Sequence, residues 1–236
     1  KPMDEIVSWR EGRLEPDSNP ERISGKNAGM AVRFKTRNDE KVMLKVAISY
    51  VSVEQARKNM LAELPGWDFE QVKQASFSEW NDWLGRIEVE GGSREQQIKL
   101  YTDLWHALLG RHVVSDADGH YMDMTSDFPR IRQIPLGEDG KPLYNHHNFD
   151  AWWGSHWSLN ILWSMAYPEV MDNFCNTMTD MYQNGGLIPR GPSGGNYTYV
   201  MIGDPAVSFF ASAYNKGIRN YDAELAYEGL RKNAFV

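Results

Sequence analysis

The hydrophobic pattern of this chain changes its period at Ser52, and the change limits the folds open to it. Before Ser52, in residues 42–50, apolar side chains recur at every second position, which indicates a β-strand. Residues 31–36 are the expected partner strand, and residues 1–29, broken by prolines and glycines, are expected to form loops or edge strands. Because two strands cannot bury a sheet face, this part is predicted to be the last hairpin of a larger β domain.

After Ser52 the apolar residues recur with the period of a helix. Ser52 with Gln55, and Ser93 with Gln96, have the spacing of capping boxes, which favours helix starts at both serines. The first helix is predicted to end at Pro65, and six more follow in consecutive pairs, as in a helical bundle or toroid. Those six are predicted over residues 68–91, 93–110, 150–167, 168–184, 205–215 and 222–233. The last helix runs to Val236 without a stop signal, so the chain is expected to be cut there.

Composition excludes several classes of function. The net charge of -7 comes without a basic stripe, which argues against nucleic acid as a partner. No run of 18 uncharged apolar residues occurs, so no membrane-spanning segment is expected. The single cysteine, Cys175, excludes a disulfide framework, fits a small buried hydrophobe and leaves the redox compartment open. Nine Trp and eleven Tyr suit either a core or the flat faces of sugar rings.

A long segment over residues 111–148 is predicted to be a functional loop. It contains Asp116-Ala-Asp118-Gly119, which is similar to the opening of a calcium loop but lacks the closing glutamate of an EF-hand. A turn is therefore the preferred interpretation, although Asp123 and Asp127 offer further oxygens. The adjacent His146 and His147 lack helical ligand spacing, so zinc is not expected.

Several sequence blocks follow one another between residues 42 and 235. They are residues 45–56 with 63–69, 100–105 with 115–121, 149–153, and 185–190 with 201–204 and 213–218. In this order and spacing they resemble glycoside hydrolase family 92. The block Phe149-Asp150-Ala-Trp152-Trp153 is similar to the family's Trp-Asp-Thr-aromatic-Arg.

The resemblance implies a calcium-dependent, inverting exo-α-mannosidase of bacterial extracytoplasmic location, secreted or periplasmic, that releases terminal mannose from glycans, with α-1,2 as the first linkage expected. Its fold would be mainly α. Residues 1–51 would close an N-terminal β-sandwich, residues 52–67 would form a linker helix, and residues 68–236 would be the first half of an (α/α)6 barrel. The missing half of that barrel would be the chain's own partner.

An inverting glycosidase needs a carboxylic acid for the leaving oxygen and a carboxylate for water on the opposite ring face. In the family these groups lie in a Glu-Gly-Asn and a Gly-Asn-Asp segment, and neither occurs in this sequence. The general acid and base are therefore expected beyond residue 236, together with most calcium ligands, and this chain alone is expected to be inactive. It is left with contacts to substrate.

Candidate substrate contacts each have a structural alternative. Asp150 stands where a helix N-cap is expected, whereas the resemblance implies that it binds mannose hydroxyls.

The indoles of Trp152, Trp153 and Trp157 suit core packing, or one of them suits a sugar platform. Trp153 and Trp157 are expected one turn apart on a shared helix face. His156 fits a hydrogen-bonded packing residue better than a metal ligand, and it is also a candidate substrate contact. Arg190 is either a solvated charge or a contact to hydroxyl or phosphate.

Asn196 and Tyr197 complete the set of predicted substrate contacts. Their segment departs from many relatives, which carry Glu at the position of Tyr197. Two other classes of protein stay open, namely a non-catalytic carbohydrate-binding protein with the same cleft and a helical scaffold whose Trp residues are all core. The presence of the two acidic segments downstream would favour the hydrolase.

Overall fold

The computed structural model describes residues 4–15, 23–149, 152–200 and 202–235. The chain is divided into two compact units, Lys1–Lys45 and Val46–Val236.

The first unit contains a small antiparallel sheet. Its strands are β1 (Glu5–Arg10), β2 (Arg13–Leu14) and β3 (Gly29–Arg33), in the order β2-β1-β3. Gly29 lies opposite Trp9, and a Cβ at Gly29 would lie 2.2 Å from the indole, so this pairing requires glycine. The strand predicted over residues 31–36 is thus present in part, but it pairs with β1.

The strand predicted over residues 42–50 is wrong for this structure. Residues 41–49 adopt no regular secondary structure, and Leu44 and Ile48 are 84% and 73% exposed. A strand needs a neighbouring strand for its backbone N–H and C=O groups, and none of the strands in the described ranges forms a ladder with this segment. Alternating hydrophobicity alone therefore did not create a strand.

The second unit is mainly helical. Two of its helices begin at serine caps. Ser52 Oγ accepts from the Gln55 N–H at 3.1 Å, and the Ser93–Gln96 capping box is complete in both directions. Seven α-helices lie in the described part of the chain. They are α1 (Val53–Glu63), α2 (Phe69–Leu84), α3 (Arg94–Leu109), α4 (Leu159–Ala166), α5 (Pro168–Gly185), α6 (Pro205–Asn215) and α7 (Ala223–Phe235).

Two helix boundaries differ from the prediction. Helix α2 ends at Leu84, with Gly85 at its C-cap position, well before residue 91. Helix α4 begins at Leu159 rather than at residue 150, since Ser158 has φ -147° and ψ -49°, outside the helical region. The residues before it form a short 3-10 helix, Ser155–Trp157.

The predicted loop over residues 111–148 contains four short strands. They are β4 (His112–Val113), β5 (His120–Asp123), β6 (Arg130–Gln133) and β7 (His147–Asn148), and β4 pairs with β7 while β5 pairs with β6. Both pairings are antiparallel. Backbone groups within this long loop therefore form hydrogen bonds with one another.

The core of the unit surrounds α5. Phe174 of α5 stacks on Trp163 with 5.5 Å between ring centroids and meets Trp152 edge-on at 4.9 Å. Cys175 is buried beside it, as predicted, and burial raises the pKa of its thiol. No α-helix among the described residues is long and apolar enough to cross a membrane.

Candidate functional site

The segment between α5 and α6 collects several of the predicted site residues. The Phe149 N–H donates to the Pro192 carbonyl at 2.8 Å, and the Met124 N–H donates to the Gly195 carbonyl at 2.9 Å. These bonds fix the segment against the residues that follow β7 and β5. Two sequence blocks that lie about 40 residues apart, around Phe149 and Arg190, are therefore joined in the structure.

A cavity of about 470 Å³ opens on one side of this segment, within the size range of small-molecule sites. We call it the Asp204 pocket. Its lining residues are Leu187, Ile188, Pro189, Arg190, Tyr197, Thr198, Tyr199, Gly203, Asp204, Lys232 and Asn233. It includes Arg190 and Tyr197, which the sequence predicted as contacts. Asp204 and Lys232 were not predicted.

Both charge signs meet in the Asp204 pocket. Burial raises the pKa of the Asp204 carboxyl, and the nearby Arg190 charge opposes that rise. Lys232 adds a second cation, 5.8 Å from the Tyr182 ring centroid. A carboxylate and two cations around one cavity provide both acceptors and donors for hydroxyl groups.

Tyr197 is held by the backbone. Its hydroxyl lies 2.8 Å from the Met181 carbonyl and 2.9 Å from the Leu187 carbonyl, and it accepts from the Leu187 N–H at 3.2 Å. Burial raises the pKa of this phenol to about 12. The Tyr197 hydroxyl therefore uses its hydrogen bonds on the backbone of Met181 and Leu187. The ring of Tyr197 is the part that lines the pocket.

Tyr199, at the rim of the pocket, is exposed to solvent, unlike Tyr197. Its backbone φ of 53° lies in the left-handed region, which is uncommon for an aromatic residue, and its side chain is 69% exposed. Backbone strain of this kind is concentrated at functional sites. The exposed ring offers a flat apolar face next to the charged lining.

The other predicted contacts do not line this pocket. Trp152 is fully buried, with its ring centroid 3.9 Å from that of Phe209, so it packs in the core. Trp153 is 58% exposed, and His156, half-buried, has its ring centroid 4.2 Å from that of Trp157. Because these residues precede α4, Trp153 and Trp157 do not share the helix face predicted for them.

Two predicted substrate contacts remain, Asn196 and Asp150. Asn196 is exposed, and its side-chain oxygen accepts from the adjacent Tyr197 N–H at 2.7 Å. Asp150 lies outside the described residues. Its role as a sugar contact stays a prediction.

Comparison with known proteins decides the family. Residues 55–236 match the family model for the glycosyl hydrolase family 92 catalytic domain. The chain belongs to glycosyl hydrolase family 92.

Relatives of this family 92 chain are much longer than it is. The chain is 27% identical over 214 residues to an uncharacterized secreted glycosidase of Arthroderma benhamiae, covering 89% of this chain and 22% of that protein. A family GH92 α-mannosidase of Bacteroides thetaiotaomicron has a similar fold, with a TM-score of 0.82 at 23% identity, over 100% of this chain and 31% of that one. A family GH92 inverting mannosidase of the same species gives a TM-score of 0.80 at 23% identity, over 98% and 30%. The chain thus spans less than a third of these relatives.

The acidic turn of this family 92 chain is closed by its own hydrogen bonds. The Gly119 N–H donates to the Asp116 carbonyl at 2.8 Å, and Gly119 has φ 85°, which confirms the turn. The carboxylates of Asp116 and Asp118 accept hydrogen bonds from side chains of α1. Within the described ranges, no three His, Cys, Asp or Glu side chains are grouped so that they could hold a metal ion. The described residues therefore do not fit a calcium site.

A buried polar cluster lies behind β7. His146 stacks on Tyr121 with centroids 4.1 Å apart, and its Nε2 is 3.8 Å from an Asp180 carboxylate oxygen that accepts from the Tyr144 hydroxyl at 2.7 Å. Burial lowers the pKa of His146 to about 3 and raises that of Asp180 to about 6. The cluster ties the residues before Phe149 to α5. Only the adjacency of His146 and His147 marked it in the sequence.

Proposed function

We propose that this chain is the sugar-binding part of an inverting exo-α-mannosidase that removes terminal mannose from glycans. The observation that carries the proposal is the match of residues 55–236 to a family 92 catalytic domain. The two structural relatives from Bacteroides thetaiotaomicron are mannosidases, which supports mannose as the sugar. Two more specific parts of the proposal, an α-1,2 linkage and half of an (α/α)6 barrel, rest on the family resemblance.

The chemistry of the Asp204 pocket suits a neutral sugar ring. The Asp204 carboxylate accepts hydroxyl hydrogens, Arg190 and Lys232 donate to hydroxyl oxygens, and charge-assisted bonds of this type are about twice as strong as neutral ones. The exposed Tyr199 ring can cover the C–H face of a hexose. We assign mannose contacts to Arg190 and Tyr199 here, and to Asp150, Trp153, His156 and Asn196 on the neighbouring segments.

Trp152 and Tyr197 have supporting roles in this proposal. Trp152 packs against Phe209 beneath the segment that carries Trp153, and the Tyr197 hydroxyl holds the start of the pocket loop at Leu187. Hydrolysis with inversion needs a general acid and a general base several ångströms apart. We place both, with the proposed calcium ion, on parts of the protein outside this chain.

The proposed location is extracytoplasmic. It rests on the secreted relative of Arthroderma benhamiae and on the family resemblance. A leader sequence on the precursor would support it, and a protein found wholly in the cytoplasm would contradict it.

The test is hydrolysis of an α-mannoside by the full-length protein that contains this chain. Proton NMR of the first product should show β-mannose appearing before mutarotation, and the matched α-glucoside should stay intact. Product that appears first as α-mannose would contradict inversion. Mannose binding without hydrolysis would instead favour the non-catalytic carbohydrate-binding protein.

A further inference from the structure

Helix α1 is joined to the acidic turn Asp116–Gly119 by a pair of complementary hydrogen bonds. Asn59 Nδ2 donates to Asp116 Oδ1 at 2.7 Å, and the Ala117 N–H donates to Asn59 Oδ1 at 2.9 Å. Both side chains are buried, and the bond from Asn59 Nδ2 joins them directly. Removing one partner would leave the other buried and unpaired.

Further donors surround the two carboxylates. Ser49 Oγ donates to Asp116 Oδ2 at 3.0 Å, Gln55 Nε2 donates to Asp118 Oδ1 at 2.8 Å, and Lys58 Nζ lies 3.0 Å from Asp118 Oδ2. Burial opposes ionisation of Asp118, but bonds from His120, Lys58 and Gln55 hold its pKa well below the ordinary value. We call this set the α1 clamp. Its members are Ser49, Gln55, Lys58, Asn59, Asp116 and Asp118.

The α1 clamp continues into the pocket loop through β5. The Asp116 N–H donates to the His120 carbonyl at 2.7 Å, which sets the start of β5. At the other end of the strand, Met124 donates its N–H to the Gly195 carbonyl at 2.9 Å. A Cβ at Gly195 would lie 2.4 Å from the Met122 carbonyl oxygen, so the two backbones touch. Gly195 is two residues before Tyr197, which lines the Asp204 pocket.

We propose that Asn59 and Asp116 are positioning residues for the Asp204 pocket, because the turn they fix sets β5, and β5 fixes the pocket loop at Gly195. The proposal rests on the proposed function for its catalytic consequence. Neither residue lines the pocket. A change at either residue reaches the pocket through the Met124–Gly195 bond. It should weaken substrate binding more than it slows the chemical step.

The experiment uses a charge exchange in the full-length protein. Asn59→Asp places a carboxylate beside the Asp116 carboxylate and the Ile48 carbonyl, which Asn59 Nδ2 contacts at 3.1 Å. The double variant N59D/D116N restores a donor and an acceptor between the two positions. Arg57→Ala, an exposed residue of α1 outside the clamp, is the matched control. Lys58→Ala is a milder variant for use if Asn59→Asp does not fold.

Two readouts follow, and the first needs no activity. Hydrogen exchange measured by mass spectrometry should show residues 193–199 exchanging about tenfold faster in Asn59→Asp, equivalent to about 1.4 kcal/mol of local opening, with α5 unchanged. The double variant should recover most of this protection, Lys58→Ala should give a smaller change at the same site, and Arg57→Ala should give none. Faster exchange confined to α1 and the turn, with residues 193–199 unchanged, would overturn the proposal.

The second readout is steady-state hydrolysis of an α-mannoside. Asn59→Asp should raise KM severalfold with a smaller change in kcat, and the double variant should reverse most of the rise. A fall in kcat at constant KM, or no recovery in the double variant, contradicts a positioning role. If the wild-type protein hydrolyses no mannoside, the proposed function fails and the exchange measurement still decides the positioning.

Discussion

Phe149 donates its backbone N–H to the carbonyl oxygen of Pro192 at 2.8 Å, and this bond joins the two stretches of sequence that carry the predicted sugar contacts. Phe149 directly precedes Asp150, and Pro192 comes two residues after Arg190 in the pocket loop. The two residues are in contact although they lie far apart in the sequence. It gives a physical reason why substitutions in one stretch should affect the other.

Tyr197→Phe should destabilise the protein by about 1–2 kcal/mol, because it leaves the Leu187 N–H without the phenol oxygen that it now donates to. Tyr199→Phe, at an exposed position, should stay within about 0.5 kcal/mol of the wild type. Urea denaturation of both variants measures the difference. Equal stability of the two would show that the Tyr197 hydroxyl is not structural.

The neighbours Trp152 and Trp153 should respond in opposite ways. Trp152→Ala should cost about 3–5 kcal/mol of stability, since it empties a fully buried site against Phe174 and Phe209. Trp153→Ala should leave stability nearly unchanged and weaken binding of mannose. Thermal unfolding and mannose titration of both variants test this pair. A stable Trp152→Ala variant would contradict the core assignment.

Gly195→Ala should destabilise more than Gly194→Ala. Both glycines have positive φ, 70° and 59°, so alanine costs about 1 kcal/mol at either position. At Gly195 the new Cβ also meets the Met122 carbonyl oxygen at 2.4 Å, whereas nothing lies within 4 Å at Gly194. We expect at least about 3 kcal/mol for Gly195→Ala in urea denaturation. Similar values for the two variants would show that β5 does not press on the loop.

Asp180 should make stability depend on pH. Its pKa is about 6 in the folded protein against an ordinary 3.8, so between these values the folded state keeps a proton that the unfolded chain releases. Stability should therefore fall as pH rises from about 4 to about 6, by roughly 2–3 kcal/mol from this group, and stay level above that range.

Asp180→Asn is the test of this pH dependence. The asparagine oxygen still accepts from Tyr144 but does not titrate, so this part of the slope should disappear. Asp103→Asn, at a surface carboxylate paired with Lys99 at 2.6 Å, is the control. Urea denaturation between pH 4 and pH 7 gives the slopes. An unchanged slope in Asp180→Asn would exclude the raised pKa.

Helix starts could be predicted from sequence because their signals are local. Ser93 and Gln96 lie three residues apart and bond to each other, so their pattern contains the whole interaction. Helix α5 begins at Pro168 for a similar reason, since proline is favoured in the first turn. Six helices follow α1, as predicted, but α4 has no side-chain cap, and its start at Leu159 was not predicted.

The strand and the site could be predicted less well, because they depend on distant partners. The alternating pattern around Leu44 indicates a strand only if a neighbouring strand is present. Trp152 and Trp153 are chemically identical neighbours, and packing against Phe209 decides which one is buried. Lys232 lines the pocket from α7, 42 residues after Arg190, and no motif links the two.

The most direct test of the account is kcat/KM on an α-mannoside for the Asp150→Asn variant of the full-length protein, corrected for the folded fraction. Helix α4 begins at Leu159, so the helix start predicted at Asp150 is wrong. Asparagine has nearly the size and shape of aspartate but carries no charge, so the variant removes the charge-assisted bonds to mannose hydroxyls with little change in packing. A mannose contact predicts a fall of over about a hundredfold, near 3 kcal/mol of transition-state binding, with unfolding unchanged. Retention of most of the wild-type kcat/KM would contradict it.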